Sequence, residues 1–587
     1  SNINLVTPSE VQFEDLTFNV TSVANSAFDG THFKKVTISE GVETIGNKAL
    51  YFMSKLTELV LPSTLVSVGE QCIGAYNPNS VPLKSIVCYA AVAPSAFEPT
   101  SNASFQTCVE QQTMLIVPNA ADYTVYSNAN GWKFTNILGI GSTKEIAGKD
   151  DKYTLLATVT SMDPKECSIK IGNTKPASNS NAELVLPEVV DYFPSVEGLD
   201  FTVTSIPNNA FSTCYNFTGD LEIPATVKTI GNSAFLQAYY NTLNVGKLTL
   251  NEGLETILNS AFTLSYFNNE NLVIPTTVTT IGSHAFNATN MSGTLTVQKN
   301  IPGGFDGFAG SLFTMVVVEE GVTSIVDSSS KGVFSKMSKL ETVILPSTLE
   351  EIGVAAFSKD YAITTITINA AVPPTVQNAN VFEQEVYSNA TLFVPDHAAK
   401  ALYKEANVWK EFAHISTPII EQTTQLDAGW NWFSAYVDID LESLQNALGE
   451  NATIIKNHTT GKWTKYEEGE WYGTLETISP KEMYIINTSN TIELTLVGEL
   501  VELTPITIKN NWNAIGYMLN EPMSVESALN SIVPVHGDYI KSRDQFAAYD
   551  EIDGWYGTLE TLIPGEGYML KSNYSEDRLL TYSYPTR

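Results

Sequence analysis

Along the first four hundred residues the apolar positions recur in two short phrases. One closes on Ala-Phe or a close variant: VETIGNKAL (42–50), VKTIGNSAF (227–235), LETILNSAF (254–262), VTTIGSHAF (278–286) and LEEIGVAAF (349–357). The other alternates and stops at proline: ELVLP (58–62), DLEIP (220–224), NLVIP (271–275) and TVILP (342–346). Ile45 to Val68 is 23 residues, Ile257 to Ile281 is 24 and Ile230 to Ile257 is 27, while the 44 from Ile281 to Ile325 leave room for two units. A fixed period of this size predicts a solenoid, in which each coil buries its apolar face only against its neighbours.

The chemistry of one coil follows from side-chain alternation. In Leu-Val-Leu-Pro the outer residues share the inward face and the middle one points away. Pro62, Pro224, Pro275 and Pro346 end the strand, having no N–H to donate. Val227 and Ile230 then turn inward, Gly46, Gly69, Gly231, Gly282 and Gly353 are expected to permit a bend closed to residues with a Cβ, and Ala-Phe fills the interior. The I-G-x-x-A-F phrase followed by L-x-[LIV]-P, over roughly residues 20–415, resembles the BspA-like (treponemal-type) leucine-rich repeats of bacterial surface proteins. That resemblance implies right-handed solenoids exposed at a cell surface, with adhesion to host or bacterial proteins in some members; it does not imply an enzyme. The expected fold is β-rich (α+β) and multidomain: leucine-rich-repeat solenoids with short strands, then two small β-rich modules.

The solenoid divides in two. MLIVPNAADYTVYSNANGWKFTNIL (114–138) parallels TLFVPDHAAKALYKEANVWKEFAHI (391–415), each a strand, a proline, a short helix and an aromatic run of the kind that caps a repeat stack. A restart follows the first cap, since 187–211 matches 8–28. The later copy is preceded by YTLLATVTS (153–161) and ECSIKIG (166–172), which the first lacks, so the chain is expected to begin inside a longer domain. The plan is a first block over 1–141, a polar linker over 142–152, a second block over 153–418, and modules over 425–503 and 504–587.

If the flanking Leu, Ile and Val face inward, the outward row reads Thr37, Val60, Val87 and Ile116 in the first block. In the second it reads Glu222, Thr249, Val273, Thr296, Val317, Ile344, Thr367 and Phe393. On an acidic chain this row is nearly uncharged. β-propensity alone favours the same residues; the sharper reading is a neutral docking strip for a protein partner, centred on Val273, Thr296, Val317 and Ile344.

Beyond residue 425 the pattern changes, and six of the eight tryptophans fall there. Two modules emerge with matching residues offset by 82 to 84: Trp430 with Trp512, Trp471 with Trp555, Pro480 with Pro564 and Tyr484 with Tyr568. Each has an aromatic strand (GWNWFSAYV, NWNAIGYML) and a short amphipathic stretch (LESLQNAL, VESALNSI). The heptapeptide WYGTLET occurs at 471–477 and again at 555–561. In a strand Trp471 and Leu475 share one face and Tyr472 the other, and Gly473 suggests close backbone approach or a bulge. The structural reading is a repeated core strand. The functional one is a sugar-stacking platform of Trp471, Tyr472, Trp555 and Tyr556, with Glu467, Glu468, Asp550 and Asp553 accepting from hydroxyls.

Composition narrows the function classes. The 587 residues exceed one core, and 64 acids against 32 Lys and Arg give a net charge of −32. Such a surface repels phosphate backbones and anionic lipids, which argues against nucleic acid. No apolar run reaches about 18 residues, so no transmembrane segment is expected. The five cysteines (Cys72, Cys88, Cys108, Cys167, Cys214) form no Cys-x-x-Cys, and neither a disulfide framework nor a zinc ribbon is implied. The six histidines show no metal-ligand spacing, GIGSTK (139–144) lacks the spacing of a phosphate loop, and no G-x-S-x-G occurs. His284 is read as filling a solvent position and Cys214 as a small core residue. No catalytic residue, metal or cofactor is implied. The expectation is a surface or secreted protein-binding scaffold, extracellular or anchored to an outer membrane, with extracellular host or bacterial proteins as partners. The alternative is a glycan-binding component using the Trp-rich modules.

Overall fold

The computed structural model describes residues 3–583 apart from 76, 78, 80, 98–102, 178–181, 195, 241–244, 301–305, 326–331 and 377–378. Two compact units form: residues 1–363 with 375–386, and 364–374 with 387–587.

In the first unit the described coils contribute short strands that pair in parallel, coil to coil, in separate sheets. The proline-terminated phrases form strands such as Glu58–Leu61, Asn271–Ile274 and Thr342–Leu345, each ending on the residue before its proline. The Thr-Ile pairs form the other sheet, with Ile206, Ile230, Ile257 and Ile281 in register. Between the sheets runs a spine of Phe211, Phe235, Phe262, Phe286, Phe308, Phe334, Phe357 and Phe382, all buried. Successive rings stack with centroids 5.0 to 6.1 Å apart. This is the interior that the Ala-Phe phrase predicts.

Polar side chains tie one coil to the next. Asn208 Oδ1 accepts from the Asn232 N–H (2.7 Å), Asn232 from Asn259 (3.1 Å) and Asn259 from Ser283 (2.8 Å). Glu252 accepts from both the N–H and the hydroxyl of Thr276, and Glu320 from those of Ser347. These hydrogen bonds hold both carboxyls below the ordinary glutamate pKa, the backbone donor first. Glu320 is therefore a clamp between coils.

The repeat glycines act differently from expectation. Gly231 and Gly282 do not adopt positive φ; a Cβ on them would lie 2.5 Å from Asn208 N and 2.4 Å from Asn259 N. They are glycine because the preceding coil is too close. The left-handed positions fall two residues later, on Ser233 (φ 53°) and His284 (φ 56°). His284 is half-buried in that turn rather than fully in solvent.

The two blocks differ at their entry. Val11 pairs with Phe18 and Phe13 with Leu16 in a hairpin whose four apolar side chains are exposed. In the second block Val190, Tyr192, Leu199 and Phe201 hold the matching places and are buried. There the strand Lys165–Ile171, itself paired with Thr154–Met162, runs parallel to Asp200–Ile206. The stretch read as a linker also contains a strand, Thr143–Ala147, antiparallel to residues 154–158. Lys144 and Ile146 supply its half-buried alternate positions.

Both caps use the same contacts. Trp132 donates to Pro94 O (2.7 Å) and Tyr126 to Ala90 O (2.6 Å); Trp409 donates to Pro374 O (2.9 Å) and Tyr403 to Ala370 O (3.0 Å). The first cap lies in the first unit and the second cap opens the second unit. There the helix His397–Glu405, N-capped by Asp396, follows the strand Thr391–Phe393. Each module then carries a five-stranded antiparallel sheet. In one the order is Gly429–Phe433, Tyr484–Thr488, Ala452–Asn457, Trp463–Glu467 and Glu470–Gly473. In the other it is Asn511–Gly516, Gly567–Ser572, Tyr539–Lys541, Phe546–Asp550 and Gly554–Gly557. The amphipathic stretches form helices Leu441–Leu448 and Val525–Ala528.

Candidate ligand-binding surfaces

Parallel pairing aligns Val273, Thr296, Val317 and Ile344 as direct neighbours across four strands. A second row, Asn271, Thr294, Met315 and Thr342, runs beside it in the same register. Val273 is exposed and Thr296, Val317 and Ile344 are half-buried. None of these eight positions carries a charge. The first-block row, Thr37, Val60, Val87 and Ile116, is also in register, but Ile116 is buried rather than outward. Beside it Lys35 and Glu58 form an ion pair of 2.9 Å. Glu222 and Thr249 pair with each other in a separate three-stranded sheet.

In the modules alternation sorts the aromatic residues. Phe433, Ile455, Thr464, Tyr484 and Ile486 point into the first module's core. The opposite face carries Trp430, Asn487, Ile454, Lys465 and Tyr472 in one row, and Trp432, Ile485, Lys456 and Trp463 in the next. The second module repeats this with Trp512, Lys571, Tyr539, Ala548 and Tyr556, then Ala514, Met569, Lys541 and Phe546. Trp430 and Trp512 are 55% and 43% exposed. Lys541 Nζ lies 5.7 Å from the Trp432 ring centre and 5.3 Å from that of Trp512, within cation–π range of both.

This arrangement divides the heptapeptide. Trp471 and Trp555 pack half-buried against the two cores. Tyr472 and Tyr556 are exposed on the outer face. At Gly473 a Cβ would lie 2.1 Å from Trp463 O, and at Gly557 2.2 Å from Phe546 O, which is the close approach expected. The acids are also engaged. The Tyr472 hydroxyl donates to Glu467, which lowers the Glu467 pKa and raises that of the tyrosine. Asp550 accepts from Ile552 N and pairs with His536. Glu468 and Asp553 stand exposed in hairpin turns. Sequence reasoning missed the outward Trp430, Lys456, Trp512 and Lys541. Alternation in GWNW pointed to the tryptophans, but the lysines join them only through strand pairing.

Arg543 bridges the modules, donating to Asp427 (2.9 Å), Asn431 Oδ1 and Trp430 O, and also to Asp544. A concavity of ≈ 320 Å³ on the cap is lined by Lys400, Lys404, Lys410 and His414. Among the described residues no cluster of three metal-ligating side chains occurs, and no helix is long and apolar enough to cross a membrane. All five cysteines are unpaired. Burial pushes the Cys72 and Cys167 thiols up to about 12, far from the range of a reactive thiolate. Cys214 is buried, a small interior residue as expected.

The stacked parallel strands, the phenylalanine spine and the paired caps define a leucine-rich-repeat solenoid. The model of the BspA type leucine rich repeat region matches six copies, at residues 9–128, 195–303 and 304–389. The chain belongs to that family, one of repeat scaffold proteins associated with bacterial surfaces. Among solved structures it is similar to a leucine-rich repeat protein from Bacteroides ovatus (14% identity, 67% of this chain and 81% of that one, TM-score 0.27). It is also similar to a leucine rich cell surface protein from Faecalibacterium prausnitzii (13%, 70% and 86%, TM-score 0.20). A third is the pneumococcal vaccine antigen PcpA (15%, 70% and 87%, TM-score 0.21). No curated protein matches the chain.

Proposed function

We propose that this chain is a non-catalytic binding scaffold of the bacterial exterior, secreted or anchored to an outer membrane. It docks an extracellular host or bacterial protein on the repeat sheet through Val273, Thr296, Val317 and Ile344. The observation that supports this reading most is the pair of in-register, uncharged rows across residues 271–344 on a chain of net charge −32. A neutral, β-branched patch offers area that a partner buries without desolvating ions. Its organisation follows the duplications: solenoid blocks over 1–141 and 153–418 joined through 142–152, and modules over 425–503 and 504–587. Surface plasmon resonance against a panel of matrix proteins and bacterial surface proteins tests the docking. A ligand bound by the natural chain should lose at least about tenfold affinity on Val273→Glu with Val317→Glu, at unchanged melting temperature. Unaltered affinity for every ligand sinks the reading.

A second reading has its own support. The modules present outward Trp430, Tyr472, Trp512 and Tyr556 on their sheet faces, a chemistry suited to stacking sugar rings. A glycan array probed with the full chain is expected to give signals that Trp430→Ala with Trp512→Ala removes.

A further inference from the structure

The two modules keep the same outward residues where their fold does not require it. Trp430 and Trp512 hold matching places, as do Lys456 and Lys541, Trp463 and Phe546, and Tyr472 and Tyr556. The residues between them have drifted: Asn487 answers to Lys571, Ile454 to Tyr539 and Trp432 to Ala514. Folding accounts for alternation on the buried face and, through the Trp432 and Trp512 rings, for Lys541. It gives no reason to retain an exposed Trp and an exposed Tyr at the same register twice.

The charge on these faces is equally particular. Lys541 of the second module lies over Trp432 of the first where the modules meet; burial and then the charges of Lys456 and Lys541 push the His458 pKa down. None of the three has an ion-pair partner among the described residues. At the same junction Asp427 and Asp544 are taken up by Arg543 rather than by these groups. Acids of the same faces, Glu467, Glu470 and Asp550, lie at the hairpin ends, and Glu467 and Asp550 are already engaged.

We propose that the outer faces of the two modules bind an acidic polysaccharide, its sugar rings stacking on Trp430 and Trp512 and its carboxylate or sulfate groups meeting Lys456 and Lys541. This deepens, and rests on, the second reading above. Five strands spread each face over about 19 Å, so one polymer engages several residues per module. Two linked faces make long chains bind more tightly than short ones.

Affinity electrophoresis of the full chain in gels containing polygalacturonate, chondroitin sulfate, a neutral β-glucan or polyglutamate tests this. Retardation by an acidic polysaccharide, with little by polyglutamate, is expected. Lys456→Met with Lys541→Met should weaken it at least about tenfold and flatten its salt dependence. Trp430→Ala with Trp512→Ala should weaken it as much without changing that dependence. Lys456→Glu alone, at an exposed position, gives a second probe, and near-ultraviolet circular dichroism checks that each variant folds. Binding only to the neutral glucan overturns the acidic ligand and leaves the glycan reading standing; binding to no glycan removes both. Equal retardation by polyglutamate, or lysine variants that bind unchanged, also overturns the proposal.

Discussion

The rings of Phe235 and Phe262 lie parallel to within 1° with centroids 5.1 Å apart, one link of a stack that runs through eight coils. Each ring is packed on both faces by its neighbours, so removing one leaves a void that two coils must share. Phe235→Ala is expected to destabilise the chain by about 3–5 kcal/mol, read as a lowered urea midpoint. Because coils contact only nearest neighbours, the unfolding transition should broaden as well.

The repeat glycines and the left-handed serines of the coil turns should respond oppositely. A Cβ at Gly231 meets Asn208 N and Pro207 C, both backbone, which cannot give way as a side chain would. Gly231→Ala should lower stability by about 1–3 kcal/mol. Ser260 sits at φ 55°, where glycine carries no steric penalty. Ser260→Gly should therefore be neutral or slightly stabilising, within about 1 kcal/mol. Thermal melts of the two variants check the contrast.

Matching hairpins allow the same substitution to be compared in two surroundings. Phe18 is 49% exposed and Phe201 is 0% exposed. Phe201→Ser should cost about 3–5 kcal/mol, whereas Phe18→Ser should stay within about 0.5 kcal/mol. Phe13→Ser with Phe18→Ser should also reduce the binding of a hydrophobic dye, since the four side chains form one apolar patch. Equal melting temperatures for Phe18→Ser and Phe201→Ser would contradict the assignment.

What the letters carried was set by range. The coil period, the proline stops and the duplicated caps are local patterns, and each reappears in the fold. The role of Gly231 was misread because its reason is Asn208, a residue of the previous coil. The Asn208–Asn232–Asn259 ladder escaped notice likewise, since each donor lies 24 or 27 residues from its acceptor. In WYGTLET alternation separated Trp471 from Tyr472, but two aromatic neighbours do not disclose which turns inward. Lys456 and Lys541 entered the candidate surface only when strand pairing set them beside Trp463 and Phe546.

Glu499 links the second cap to the first module, and its titration should show in the stability of the chain. Burial works to raise its pKa, but hydrogen bonds from Lys400, Ser416 and Thr417 outweigh that and hold it at about 2, against an ordinary 4.5. A carboxyl depressed in the folded state stabilises fully above its unfolded value and loses that contribution as pH falls through the folded one. Stability from this contact should therefore be complete at neutral pH and fade between pH 4.5 and about 2. Glu499→Gln keeps the shape and removes the charge on which the 2.7 Å Lys400 contact depends. At pH 7 the substitution should cost about 1.5–3 kcal/mol, and near pH 2 the melting temperatures of the two proteins should converge. A difference that persists unchanged to pH 2 would mean that the carboxylate charge contributes nothing to this junction.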